Sequence, residues 1–100
     1  MEIFVTKQDD VTTARLVGRL DTQASQEMNG VFTELQESAG ETIVLDCNEM
    51  DYISSSGLRL FLSLRKAASV KGGRVIVRGI TSDIRNVFMM TGFLNLFEIE

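Results

Sequence analysis

Residues 42 to 48, TIVLDCN, form an apolar run too short for a helix and broken by one charge. A run of this kind suits a strand covered on both faces, as strands in parallel sheets are. That constrains the rest of the chain. Such a strand needs neighbours at its sides and a layer packed over it.

The flanking segments can supply both. RVIVRGI, residues 74 to 80, is a second apolar run of strand length. Between the two, EMDYIS reads as a loop, followed by a helix from about Ser56 to Lys71 that KGG ends. Upstream, Ala24, Met28, Val31, Phe32 and Leu35 recur at i, i+4, i+7, i+8 and i+11, one face of a 3.6-residue period. Asp21 or Thr22 is placed to cap that helix, and Gly40 is the expected left-handed residue closing it. Gly30 inside it costs about 1 kcal/mol relative to alanine. MEIFVTK and TTARLVG, separated by QDD, predict an antiparallel hairpin, because so short a connection cannot make a parallel crossover. Leu16 to Gly18 are expected to end its second strand. Ser82 and Asp83 open a third helix whose inner face is Ile84, Val87 and Phe88. Gly92 and Phe93 predict a Schellman ending with Phe93 folded back toward Phe88. LFEIE is a last short strand. The expected fold is α/β: a mixed sheet of about five strands, an N-terminal antiparallel hairpin followed by parallel crossovers, with helices packed on it. No repeat or composition break divides residues 1–100, so one domain is expected.

Composition narrows the function. Hydrophobic residues are 44% and charged residues 24%, an ordinary globular balance. No apolar run approaches the roughly 20 residues that cross a bilayer, and no basic-then-apolar leader precedes the first strand, so neither membrane insertion nor export is expected. Cys47 is the only cysteine, which fits a reducing compartment and a cytoplasmic location. There is no histidine. This removes Ser-His-Asp and Cys-His catalysis and the commonest zinc ligand. Neither a Walker loop nor a nucleophile elbow is present. No enzymatic activity, cofactor or metal is therefore expected, and a net charge of −4 argues against nucleic acid as the main partner.

The functional signal lies in YISSSGLRL, residues 52 to 60, where three serines precede a glycine. One serine would cap the helix, for about 1 kcal/mol. The other two are left for bonding to the first turn, or for modification. A helix start tolerates a phosphate through its unpaired N–H groups and positive dipole end, and Gly57 would keep access open. If the two strands before these loops are neighbours, Asp21 and Ser54 to Ser56 share one rim. Beyond the serines, Ser56, Arg59, Ser63 and Lys66 form a polar stripe. Leu58, Leu60, Phe61, Leu62 and Leu64 are expected mainly in the core, with Leu58 or Leu62 the candidates for partner contact. Arg65 falls within that apolar arc, its stem packed and its head in water. Met89 and Met90 are expected to fill core, with room for one of them outside it. Asp46 is expected to bond a neighbouring loop.

Three stretches together resemble the STAS family of bacterial anti-sigma factor antagonists: RLVGRLDTQASQEM, TIVLDCNEMDYISSSGLRLFL and VIVRGITSDIRNVFMMTGFLNLFEI. The resemblance implies a STAS-like sheet and a partner-switching role. The unmodified protein would bind an anti-sigma factor that is also a serine kinase and so free the sigma factor. Phosphorylation would reverse this, and a metal-dependent serine phosphatase would reset it. ATP and metal would belong to those partners. Matched residue by residue, the phosphorylated serine is Ser55, with Ser54 and Ser56 as second choices. Asp21, Thr22, Ser54, Ser56, Gly57, Leu58 and Arg59 are implied as the partner-binding surface. Ser54 stands where the family usually has aspartate, and Phe93 where leucine is common. The competing readings are a phosphorylation-independent STAS adaptor in a lipid-transport or signalling assembly, and a small-ligand or nucleotide binder.

Overall fold

The hairpin forms as expected. In the computed structural model, which describes residues 1–100, β1 (Glu2–Gln8) and β2 (Val11–Leu20) pair antiparallel. Asp9 makes the turn in the left-handed region, at φ 55°, where aspartate is one of the few side chains tolerated. Three parallel strands follow: β3 (Thr42–Ile53), β4 (Arg74–Arg78) and β5 (Glu98–Ile99), giving the order β1-β2-β3-β4-β5. The crossovers are α1 (Thr22–Glu37), α2 (Ser55–Lys71) and α3 (Ser82–Met90). Each steps one strand in the same direction, so right-handed crossovers put all three helices on one face.

The core lies under those helices. Ala14 and Leu16 of β2, Ile43, Leu45 and Cys47 of β3, and Val75 and Val77 of β4 meet Phe32, Leu35, Phe61, Leu64, Ile84 and Phe88 from the helices. Phe61 is its centre: its ring lies 5.8 Å from Phe32, 6.2 Å from Phe88 and 6.4 Å from Phe97. β3 is buried on both faces, but the second face carries no helix. There Val44 and Ile76, paired across β3 and β4, are buried outside the main cluster. Around them run the ion pairs Arg15–Glu49, Arg74–Glu98 and Arg78–Glu100. Long charged side chains thus do the covering that a second helical layer does elsewhere, their stems on apolar surface and their heads in water. The Arg74 guanidinium, bonded to Glu98, holds that carboxyl below its ordinary range.

Several expectations need correction. β2 runs on to Leu20 and β3 to Ile53, through the stretch expected to be a loop. Two register shifts, at Arg15/Val17 and Gly18/Arg19, absorb the irregularity. They put the buried Met50 and Ile53 three residues apart, which destroys the period-2 pattern. Gly18, at φ 107°, supplies the backbone angle this needs. α1 ends at Ser38, whose N–H donates back to Leu35 and Gln36, and Gly40 is not left-handed. Asp46 accepts from the backbone and side chain of Asn48 in its own strand, not from a neighbouring loop. The Arg65 head donates to the Leu96 carbonyl. Met89 and Met90 are both exposed, because Ile84 and Phe88 already fill the inner face of α3. At the end of that helix Gly92 is left-handed and Phe93 lies against Phe88, centroids 6.2 Å apart, as expected.

No helix is long and apolar enough to cross a membrane. Cys47 is fully buried, and desolvation pushes its thiol up to about 12. A thiol that far from ionisation is unreactive near neutrality. Cys47 should therefore resist a thiol-disulfide reagent at pH 8 in the native protein and react once urea unfolds it. Phe61→Ala should cost about 3–5 kcal/mol in urea denaturation. Val70→Ser, at an exposed position, should change stability by about 0.5 kcal/mol or less.

Candidate functional site

Two parallel strands that end together deliver two helices side by side. Leu20 of β2 is in register with Ile53 of β3, and the Ser54 N–H donates to the Leu20 carbonyl at 2.9 Å. Asp21 and Ser54, the next residues, both have extended backbones and cap the helices that follow. Asp21 Oδ1 accepts from the Ala24 N–H at 2.8 Å, and the Ser25 hydroxyl donates to the Asp21 carbonyl at 2.7 Å. Ser54 Oγ accepts from the Gly57 N–H at 3.1 Å. The rim expected from the sequence exists because β2 and β3 are neighbours.

The three serines separate by environment. Ser54 is the cap. Ser56 is half-buried beside α1. Ser55, the first residue of α2, is exposed, and its hydroxyl bonds to no other protein group. This answers why one cap would not suffice: only one of the three hydroxyls is spent on capping, and only one is presented outward. Thr22 and Arg59 are also exposed on this rim.

Gly57 has a different purpose from the one expected. It is buried, and a Cβ there would sit 2.8 Å from Leu20 Cγ and 2.9 Å from Ile53 Cγ1. The missing side chain lets α2 approach the strand ends. It does not clear a path to the serine. Leu58 also corrects its expectation: it is 5% exposed and belongs to the core, so it cannot offer its side chain to a partner.

One part of the site escaped the sequence. Ser25, Gln26 and Asn29 of α1 face Ser56, Arg59 and Ser63 of α2 across an open groove of about 420 Å³. The α2 half coincides with the polar stripe read from spacing. The α1 half carries no motif, and only the inter-helix packing brings it there. The signal present was weak: Gln26 and Asn29 lie off the apolar face set by Phe32 and Leu35, whereas Ser25, seven residues before Phe32, sits at the edge of that face and is buried. Apart from Arg59 the groove is neutral, with Leu60 among its hydroxyl and amide groups, a surface for a polar and partly apolar contact rather than for holding a cation.

An α/β domain with two capped helix starts, an outward serine and a polar groove at one rim has the form of a recognition module. Residues 2–100 match the STAS domain model, and the chain belongs to that family. Among relatives, BtrV of Bordetella bronchiseptica is 27% identical over 99% of this chain and 85% of its own length. The anti-sigma-B factor antagonist of Staphylococcus aureus is 25% identical over 100% of this chain and 93% of its own. The fold is that of the Bacillus anti-sigma factor antagonist SpoIIAA, solved in both unphosphorylated and phosphorylated forms. The first has a TM-score of 0.76 at 19% identity, covering 99% of this chain and 87% of that one. The second has a TM-score of 0.75 at 20% identity, covering 99% and 91%.

The caps and the glycine give separable predictions. Ser54→Ala should lose about 1 kcal/mol, while Ser54→Asp, an equally good cap, should stay within about 0.5 kcal/mol of the parent. Gly57→Ala should lose about 1–3 kcal/mol by overpacking against Leu20 and Ile53. Chemical denaturation of the three variants checks both.

Proposed function

We propose that this chain is an anti-sigma factor antagonist controlled by phosphorylation of Ser55. In its unmodified form it binds an anti-sigma factor that is also a serine kinase, and so releases the sigma factor. The kinase then transfers the γ-phosphoryl group of ATP to Ser55 Oγ. The new O–P bond replaces the bond to ADP, and the hydroxyl proton passes to a base of the kinase. The modified rim no longer fits the partner. A metal-dependent serine phosphatase hydrolyses the ester and restores binding. The chain itself supplies no catalytic group; nucleotide and metal are held by its partners, in the cytoplasm.

The observation that carries this reading is the division of labour among the serines. Ser55 is the outward hydroxyl on the rim between the Asp21 and Ser54 caps, where a kinase can reach it without dismantling α2. The names of the relatives and the belonging to the STAS family support the partner class. Asp21, Thr22, Ser54, Ser56 and Arg59 form the contact surface, with Gly57 and Leu58 holding it in place from beneath. Ser54 keeps the capping function that an aspartate would perform but leaves Ser55 without an adjacent carboxylate. This lowers the repulsion a phosphate meets there.

A phosphoserine carries about −1.5 to −2 charge at neutral pH. An uncompensated charge buried in an interface costs on the order of 3–5 kcal/mol, which is about a 100-fold loss of affinity or more. The test is incubation with ATP and each candidate anti-sigma kinase of the source organism, read by intact mass and peptide mapping. The expected result is one phosphate, on Ser55, absent from Ser55→Ala, and roughly 100-fold weaker kinase binding by the modified form. If no kinase that binds the chain modifies it, the switch is wrong, and a constitutive STAS adaptor replaces it.

A further inference from the structure

Arg59 stands one turn after Ser55 on the same helix, at i+4. A negative group N-terminal to a positive one at this spacing is the favourable order for a helical ion pair. Side chains on a helix lean toward its N-terminus, so Arg59, which lines the groove beside Ser56 in the unmodified protein, is within one turn's reach of a group on Ser55. It is exposed, and it has no carboxylate partner: the ion pairs of the structure are Lys7–Glu41, Arg15–Glu49, Arg74–Glu98 and Arg78–Glu100. Its groove neighbours Ser25, Gln26, Asn29 and Ser63 are neutral. Of the other cations of α2 and its rim, Lys66 is unpaired but stands eleven residues beyond Ser55, three turns along the helix, and the rest are engaged. Arg65 donates to Leu96, Lys71 to the Gln36 carbonyl, and Arg19 lies over the Tyr52 ring at 4.3 Å.

We propose that Arg59 clamps the phosphate on Ser55 in cis, so that modification withdraws the one cation of the groove while adding an anion to the rim. The proposal rests on the reading of Ser55 as the modified residue. A guanidinium matches phosphate oxygens with two parallel N–H donors, which lysine in its place would not do. The partner surface therefore changes at two points. Before modification the groove between α1 and α2 presents Arg59 to the partner. Afterwards Arg59 is turned onto its own helix, and the groove is left with neutral groups, the hydroxyls and amides and Leu60. The clamp also shields the ester and ties the first turn of α2 together.

Phosphoserine installed at position 55 by genetic encoding separates this proposal from the reading it rests on, since no kinase is needed. The parent, Arg59→Ala, Arg59→Lys and, as a rim control, Arg19→Ala are each made with serine and with phosphoserine. In the parent and in Arg19→Ala the phosphate should raise the melting temperature by about 3 °C more than it does in Arg59→Ala. Arg59→Lys should fall between them. The Arg59 Nε–H resonance should move downfield on phosphorylation, and a non-specific phosphatase should release phosphate roughly threefold faster from Arg59→Ala, the factor expected if the clamped form dominates by one helical ion pair. An equal melting shift in all four proteins with an unmoved Arg59 resonance would overturn the clamp. That result would leave the Ser55 switch standing, whereas failure of every kinase to modify Ser55 would remove the switch without touching the clamp.

Discussion

The backbone bond from Ser54 to Leu20 is the point on which the site depends. It closes the parallel pairing of β2 and β3 at the last possible position, with Leu20 level with Ile53. Because the strands end level, the residues that follow them start two helices from one line. Asp21 and Ser54 become neighbouring caps, α1 and α2 run side by side, and a groove opens between them. A register slip of one residue would exchange the buried and exposed sets of β3 and misplace Ser55. The interlocking of Gly57 with Leu20 and Ile53 opposes such a slip, since α2 meets the strand ends in a contact too tight for any Cβ.

The energy that holds this register comes from farther in. Phe32, Phe61, Phe88 and Phe97 join the three helices over the sheet through rings about 6 Å apart, separations at which aromatic pairs attract edge-to-face or offset. The exposed ion pairs on the opposite face add little stability individually. Their effect is to keep Val44 and Ile76 dry on a face that has no helices. The rim is thereby built on a rigid body. On the proposed reading, a phosphate at Ser55 alters charge and hydrogen bonding there without refolding the domain.

Much of this was legible. The TIVLDCN run announced a buried strand because it is apolar at successive positions, and the 3.6-residue spacing from Ala24 to Leu35 announced α1. Asp21 and the serine run announced helix starts, since these residues satisfy N–H groups that a helix leaves free. The far halves of β2 and β3 were not legible. Their bulges put Met50 and Ile53 out of phase, and pattern reading depends on phase. Met89 and Met90 misled because methionine is equally at home in a core and on a surface; only the filling of the inner face by Ile84 and Phe88 decided it. In the sequence Gly57 reads as clearance for a serine, because nothing in the order of residues shows Leu20 pressing on it from another element.

The sequence by itself determined the type and order of the elements, the helix starts, and the presence of an outward-capable serine beside a glycine. These follow from local chemistry: apolar period, capping hydroxyls, turn residues. The tertiary structure alone decided which serine is spent on capping and which faces out, that Leu58 is core, and that Ser25, Gln26 and Asn29 share a groove with Arg59. Those outcomes depend on which strands lie side by side and how closely two helices approach. Such distances arise between residues more than thirty positions apart in the chain, such as Ser25 and Arg59, and no local pattern encodes them.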